Sequence, residues 1–381
     1  MTLTGIGVVC HFPPPAGGMS VQAEILVAGL RSEGIDAMPI ETNLGRSGIM
    51  RQLDDVRFLR SLLRAPVFLY RLLRALPRVS ILHIHACVGL YFFLFAAPAM
   101  LAGRAARKRV IFHCHSGNAP NFFRKSGAIV RTLLRCAHRI LVPSEYLFHV
   151  FRDLGFESTI ISNVCDVARF SDSPRPLAPE FVVARNLEPV YGVDTILRAF
   201  AMVLERYPAA TLTILGTGTE RDRLHTLANE LRITERVTFL GAVENSSIPA
   251  LFARAAVFLN ASLTDNQPVS ILEAFAARLP VVTSNAGGIP FLVKQDETGL
   301  LFPPGDYAAL ANAVFRLFDT PGLAEECVRN GRAFVEQYAW PAIFRKLANV
   351  YGFDAVAGGN SAICAEDPSL HKRRFVHNHD N

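Results

Sequence analysis

The sequence predicts an α/β protein made of two Rossmann-like domains, each a parallel sheet covered by helices. Three observations predict it. Apolar runs of strand length alternate with helix-period segments at 181–184 and 193–207, 210–215 and 220–231, and 237–240 and 247–255, the pattern of a parallel sheet covered on both faces. The stretch SDSPRPLAPE, with three prolines in six residues, reads as an extended linker dividing the chain. Between residues 257 and 305, two strand ends and a helix start converge on one crevice, which in an open α/β sheet is where a nucleotide sits.

The first domain is expected over residues 1–172. Residues 5–11 form a short apolar strand that runs through FPPPAGGMS into an amphipathic helix carrying Val21, Ile25, Leu26 and Leu30 and closing at Gly34. Gly17 and Gly18 therefore lie between a strand end and a helix start, which suits either a tight turn that needs glycine or a loop that faces phosphates. A second strand near 35–40 precedes a basic segment, 46–78. Residues 80–85 and 110–114 read as strands, with an apolar helix over 90–101 between them. The stretch 79–103 is mostly apolar, but it contains His83 and His85 and parses as a buried strand and a helix better than as a membrane span. The strand at 110–114 ends in His113-Cys114-His115-Ser116-Gly117. Alternate residues share a strand face, so His113 and His115 would point to one side. H-x-H also suits zinc, yet no third ligand is evident, and no metal is expected. After the strand at 140–142, Ser144 is placed to cap a helix that ends near Gly155.

The second domain is expected over 180–338, followed by a segment at 339–353 and a polar, aperiodic tail at 354–381. Gly216-Thr217-Gly218 is half of a dinucleotide fingerprint. Its third glycine would be Arg221, which leaves a nicotinamide-dependent oxidoreductase without its phosphate loop. After the apolar run 257–259 and the polar run 260–266, Ile271, Leu272, Phe275 and Ala276 fall on one helical face. Pro268 suits the first turn of that helix, and Glu273 lies little more than one turn inside it, within reach of a ligand in the loop. A strand at 281–283 then leads into Asn285-Ala286-Gly287-Gly288, whose glycines let the backbone approach a bound group.

These residues resemble the donor-site signature of the glycosyltransferase family 4 enzymes, in which two glutamates are separated by seven residues. Here the second is Glu273, followed by the family's LEAFAARLPVV, while the first is replaced by Asp265; TGLLFPPGD completes the match. The resemblance covers roughly residues 1–350 and is strongest over 181–305. It implies the GT-B fold, with two Rossmann-like domains facing each other across a donor/acceptor cleft and 339–353 crossing back onto the first. It also implies that Glu273 hydrogen-bonds the donor ribose, and that Asp265 and the residues after it (Asn266, Gln267, Pro268, Val269 and Ser270) face the donor sugar and phosphates. His115 would stand beside the reacting sugar, Gly17 and Gly18 would face the phosphates, and Gly216 matches the family's G-x-G. The match departs where the family holds the diphosphate with an arginine and a lysine: aligned on Leu187 and Gly192, these become Asn186 and Tyr191, with Arg185 next door. Either a one-residue bulge re-aims Arg185 into the site, or backbone donors and a helix N-terminus hold the diphosphate.

The activity implied is retaining transfer from a nucleoside diphosphate sugar to a sugar or lipid-linked sugar acceptor, without cofactor or divalent metal, in cell-surface polysaccharide or glycolipid assembly. A sugar-nucleotide-binding partner without turnover is the alternative. Seven cysteines, an odd number without C-x-x-C, predict a reducing cytosol, and the start of the chain reads as lacking a secretory signal. Residues 1–170 carry a net charge of +10 and the remainder −4. A basic half without nucleic-acid motifs points to a phosphate-bearing acceptor or an anionic membrane surface. Arg57, Arg60, Arg64, Arg71, Arg74 and Arg78 are spaced along one helical face, and Pro66 is expected to kink or split their helix. Such a helix is either a core helix whose arginines face water or a peripheral attachment to the inner face of a membrane.

Overall fold

The computed structural model describes residues 5–13, 17–44, 57–170 and 176–353. Two six-stranded sheets, parallel throughout, carry the chain. The first has the order β2-β1-β3-β4-β5-β6, formed by β1 (Gly5–Cys10), β2 (Ala37–Glu41), β3 (Val79–Ala86), β4 (Arg109–Cys114), β5 (Arg139–Val142) and β6 (Thr159–Ile160). Helices α1 (Gly18–Ser32) and α12 (Trp340–Tyr351) cover one face with Leu26, Leu30, Ile343 and Leu347. The other face is covered by α2 (Arg57–Ala75), α3 (Ala97–Ala105), α4 (Ala119–Leu134) and α5 (Glu145–Asp153), through residues such as Phe68, Met100, Phe123 and Phe151. β1 is buried at every position, so its apolar run does not alternate.

The second sheet has the order β12-β11-β10-β7-β8-β9, formed by β7 (Glu180–Ala184), β8 (Thr211–Leu215), β9 (Val237–Gly241), β10 (Val257–Asn260), β11 (Val281–Ser284) and β12 (Leu300–Phe302). On one face lie α6 (Val193–Arg206), α7 (Arg221–Glu230) and α10 (Tyr307–Asp319). The other is packed by α8 (Ile248–Phe252) and α9 (Val269–Ala276), while α11 (Leu323–Val335) contributes to both cores. Strand order reverses between β1 and β3 in the first sheet and between β7 and β10 in the second. At those two points the loops leave in opposite directions and open a crevice at the carboxyl ends of the strands.

Helix α12 follows the second sheet in sequence yet packs on the first. Gly29 lets it dock: a Cβ there would lie 2.5 Å from the Trp340 ring, and Trp340 Nε1 donates to Glu33 Oε1 at 2.9 Å. Two sequence expectations change. Pro66 lies inside α2 without splitting it into two helices. Pro66 sits on the exposed side, where water can satisfy the carbonyl it leaves unpaired, and Phe68, Leu72 and Ala75 anchor the following turns in the core. The helical segment after β3 begins at Leu90, as expected, but a π-helical turn, Phe92–Ala96, interrupts it before α3. No described helix is long and apolar enough to cross a membrane. Residues 45–56, 171–175 and the tail at 354–381 lie outside the described residues.

Candidate functional site

Arg185 leaves β7 at the point where strand order reverses. Its amide donates to the Leu215 carbonyl at 3.0 Å, continuing the β7–β8 ladder. The guanidinium crosses to the loop after β10, where Nη2 donates to Ser262 Oγ at 3.0 Å and pairs with the Asp265 carboxylate, and Cζ stacks 4.4 Å from the centre of the Tyr191 ring. Only 12% of the Arg185 side chain and 16% of the Asp265 side chain are exposed. Burial lowers the Arg185 pKa to about 10, with Tyr191 opposing, so the group remains a cation at neutral pH. Its Nε has no partner among the described residues. β7 carries no bulge; the register shift nearby lies between Ile214 and Leu215, in the β8–β9 pairing. Arg185 thus reaches the loop from an ordinary strand end. Tyr191, at the family's lysine position, supplies a π-face under the guanidinium, and Asn186 is exposed. Gly216, at φ 134°, lets β8 close on this turn, since a Cβ there would lie 2.0 Å from the Arg185 carbonyl oxygen.

The loop after β10 is held from both sheets. Asp265 Oδ1 accepts from the Asn266 amide at 2.8 Å. Ser144 Oγ, the cap of α5, donates to Asn266 Oδ1. Gln267 Oε1 accepts from the Asn163 amide at 2.7 Å, and the Gln267 carbonyl accepts from Asn163 Nδ2 at 3.1 Å. The expected donor-facing side chains of Asn266 and Gln267 are therefore occupied with the ends of β5 and β6. Gly287 and Gly288 press on the same loop: Cβ atoms there would lie 2.2 Å from the Asp265 carbonyl oxygen and 2.0 Å from that of Asn266. The group that these glycines admit is thus the chain's own backbone. Pro268 is the N-cap of α9, Val269 opens the helix, and Ser270 Oγ is buried without a partner among the described residues.

Glu273 lies one turn into α9. Part of its surface is accessible, but surrounding protein pushes its pKa up to about 7, with the Arg169 guanidinium opposing. A carboxyl so placed is poorly solvated as an anion and gains from any hydroxyl that donates to it.

His115 stands one residue beyond β4, its amide donating to the Ala86 carbonyl at 2.9 Å. Burial pushes its imidazole down to about 4, the Asn163 side chain opposing, and its Nε2 has no partner among the described residues. It can exchange hydrogen bonds as a neutral group. Gly117 brings this loop against the other sheet, since a Cβ there would be 3.4 Å from the Asn266 amide. Gly17 and Gly18 form the start of α1 on the same side: the Gly17 amide donates to Ser20 Oγ and Ser20 Oγ to the Gly17 carbonyl, both at 2.9 Å. A Cβ at Gly18 would meet nothing within 4 Å, so packing does not demand glycine there. The linking residues Ser144, Asn163 and Ser262 were not legible as site residues, because each gains its role from a partner distant in sequence.

The family model for glycosyltransferase family 4 matches residues 16–169, and that for glycosyl transferases group 1 matches 169–334. Glycogen synthase of Mycobacterium tuberculosis is 33% identical over 199 residues, 51% of this chain and 48% of that protein. The GDP-mannose-dependent alpha-(1-6)-phosphatidylinositol monomannoside mannosyltransferase of the same organism is 32% identical over 187 residues, 47% of this chain and 49% of that protein. The chain thus spans about half the length of these curated relatives. Sucrose-phosphate synthase from Thermosynechococcus elongatus superposes with a TM-score of 0.73 at 20% identity, covering 91% of this chain and 98% of that structure. The Anabaena protein Alr3699/HepE in complex with UDP and glucose gives 0.70 at 20% identity, covering 91% and 99%. These structures share the two-sheet GT-B architecture. Because the two family models meet at residue 169 and together span residues 16–334, the chain belongs to the family 4 glycosyltransferases.

Proposed function

We propose that the chain transfers a sugar, with retention, from a nucleoside diphosphate sugar to a sugar or lipid-linked sugar acceptor in polysaccharide or glycolipid assembly. The observation that carries this reading is the buried Arg185 guanidinium, held against Asp265 at the β7–β10 crossing point. As the bond between anomeric carbon and diphosphate breaks, negative charge grows on the leaving group, and a fixed, desolvated cation stabilises that charge without reorganising. In this reading the acceptor oxygen bonds to the anomeric carbon on the face the diphosphate leaves, and its proton passes to the departing phosphate. Glu273 accepts from the ribose, His115 hydrogen-bonds the sugar, and no divalent metal is required at the diphosphate. Relatives named for GDP-mannose and structures solved with UDP make both bases part of the test. Incubation with a panel of UDP- and GDP-sugars and a glycan or lipid-linked acceptor is expected to release free nucleoside diphosphate. Binding of a donor with no release from any of the panel would favour a sugar-nucleotide-binding partner, the reading that Tyr191 in place of lysine supports.

A peripheral site at the inner face of a membrane fits a lipid-linked acceptor. The described part of α2 alters which residues would make it. Arg71 turns inward: Nη2 donates to the Leu44 carbonyl at 2.6 Å, Nη1 donates to the Glu41 carbonyl at 3.2 Å, and Nη1 lies 3.7 Å from the Glu41 carboxylate. Outward stand Leu69, Tyr70 and Leu73, at 44%, 60% and 55% exposure, with Arg74 and Arg78 exposed nearby. An apolar stripe flanked by arginines suits insertion at an anionic interface, each arginine near the surface adding about 1 kcal/mol. Wild type is expected to float with anionic liposomes at low salt and less with neutral ones. Leu69→Ser with Leu73→Ser should abolish flotation, and Arg74→Gln with Arg78→Gln should make it fail at lower salt. Equal flotation of all three proteins would move the attachment away from α2, and a wild type that ignores anionic liposomes even at low salt would leave a soluble acceptor as the better reading.

A further inference from the structure

The carboxyl end of the first sheet holds a cluster of imidazoles, of which His115 alone enters the proposed transfer. His83 and His85 lie on β3, His113 and His115 on β4 or just past it, and the register sets His85 beside His113. All four share the strand face that meets α12. His83, His85 and His113 are 0%, 2% and 4% exposed. The rings touch: centroids are 4.9 Å apart for His83–His85, 5.1 Å for His85–His113 and 4.6 Å for His85–His115. His85 is the anomaly. A neutral imidazole carries one donor and one acceptor, and neither ring nitrogen of His85 has a partner among the described residues.

We infer that His83, His85 and His113 form a binding site for a Zn2+-type divalent transition-metal ion. One nitrogen from each ring can be chosen so that all three lie within 4.8 Å of one another. His83 Nε2 and His113 Nδ1 are hydrogen-bonded at 3.2 Å, close to the separation of roughly 3.3 Å that two nitrogens have on one tetrahedral zinc with bonds of about 2.0–2.1 Å, so the ion would take the place of the proton between them once His113 shifts its proton to Nε2. Small rotations of the His85 ring bring in the third ligand, and water completes a tetrahedron. The outer contact has the right form: Tyr351, on α12 and 1% exposed, stands 2.7 Å from His83 Nδ1, so a proton on Nδ1 donates to its hydroxyl and leaves Nε2 as a lone pair for the ion. Burial holds all three imidazoles below their usual pKa, the neutral form that ligation needs. An all-imidazole set favours zinc, copper, nickel or iron over magnesium or calcium. The ion would tie β3, β4 and, through Tyr351, the last helix together. The three ligands do not include His115, the residue that the donor reading sets beside the sugar, although its ring stacks on His85 at 4.6 Å.

The test is zinc uptake by the full chain carrying His377→Ala and His379→Ala, which removes a competing H-x-H pair in the tail. One equivalent is expected to bind and to raise the melting temperature reversibly against a chelator. His85→Asn in that background should abolish both effects, while Tyr351→Phe should still bind one equivalent about 10–100-fold more weakly. Should His85→Asn not fold, Co2+ substitution in the tail-altered chain decides: the intense visible bands of a four-coordinate ion support the site, and a pale six-coordinate spectrum overturns it. Uptake that vanishes with the tail histidines, or zinc binding by folded His85→Asn as tight as in its parent, would also overturn it. The readout is metal content, so the result does not depend on whether the donor reading is correct.

Discussion

Glu273→Gln is expected to raise the melting temperature at pH 8 and, in the same protein, to weaken binding of the sugar nucleotide. The folded-state pKa of Glu273 is raised from 4.5 to about 7, chiefly by burial. A carboxyl shifted upward gives stability that is present below its unfolded pKa and lost as pH rises through the folded one. Between about pH 4.5 and 7 the wild type therefore loses stability on this account, and at pH 8 the empty protein carries the full cost of an ionised carboxylate in poorly solvating surroundings. With part of the residue still accessible, that cost is roughly 1–3 kcal/mol. Glutamine keeps the shape and removes the charge. The variant should melt higher than wild type at pH 8 and at nearly the same temperature at pH 5. For binding the sign reverses: losing a charged acceptor for the ribose hydroxyls removes roughly 1.5–3 kcal/mol, a rise in Kd of about 10- to 100-fold. Wild-type binding should also fall as pH drops below about 7, while the variant stays flat. Calorimetric melting and titration with donor across pH 5–8 would check both halves. A variant that binds donor like wild type removes Glu273 from the ribose site, and coincident melting curves at pH 8 remove the buried charge.

The fold was legible in the sequence because its strands are buried on both faces and bounded by turn residues. The runs at 181–184, 257–259 and 281–283 each fall within a strand of the second sheet, and Ser144 caps its helix as expected. β12 is three residues long and carried too little pattern to stand out. What the chain did not reveal is mostly pairing between distant segments. His83 and His85 lie about 30 residues before His113, and only the β3–β4 register makes them neighbours. Asn266 and Gln267 read as ligand-facing polar residues, but a partner at Ser144 or Asn163 cannot be seen from their own neighbourhood. The arginine stripe on α2 erred for a similar reason: helical spacing puts Arg71 with its neighbours, but the carbonyls of Glu41 and Leu44 draw it inward. Gly287 and Gly288 were read as letting the backbone approach a bound group, but the contact they make is within the chain. The approaching segment is the Asp265 loop, which connects the two sheets and pairs with Arg185.

That loop makes the Arg185 substitution the most damaging one expected. Arg185→Ala removes the cation proposed to stabilise the leaving group, a loss of about 10²- to 10³-fold in turnover by comparison with other fixed donors to developing charge. It also strands the Asp265 carboxylate, which is 16% exposed and has Ser262 and the Asn266 amide as its remaining neighbours. An unpaired charge in a fully buried site costs about 3–5 kcal/mol; with this much exposure the loss of stability should be nearer 2 kcal/mol. Asn186→Ala, at an exposed position, should change little of either quantity. Two roles for Arg185 are separated by the double variant Arg185→Ala with Asp265→Asn. Neutralising the stranded carboxylate should restore most of the stability, because the penalty belongs to the unpaired charge. Turnover should stay low, because no cation returns to the crevice. Recovery of both would mean that Arg185 serves only to hold the loop, and a larger loss from Asn186→Ala than from Arg185→Ala would move the diphosphate contact to the position where the family keeps its arginine.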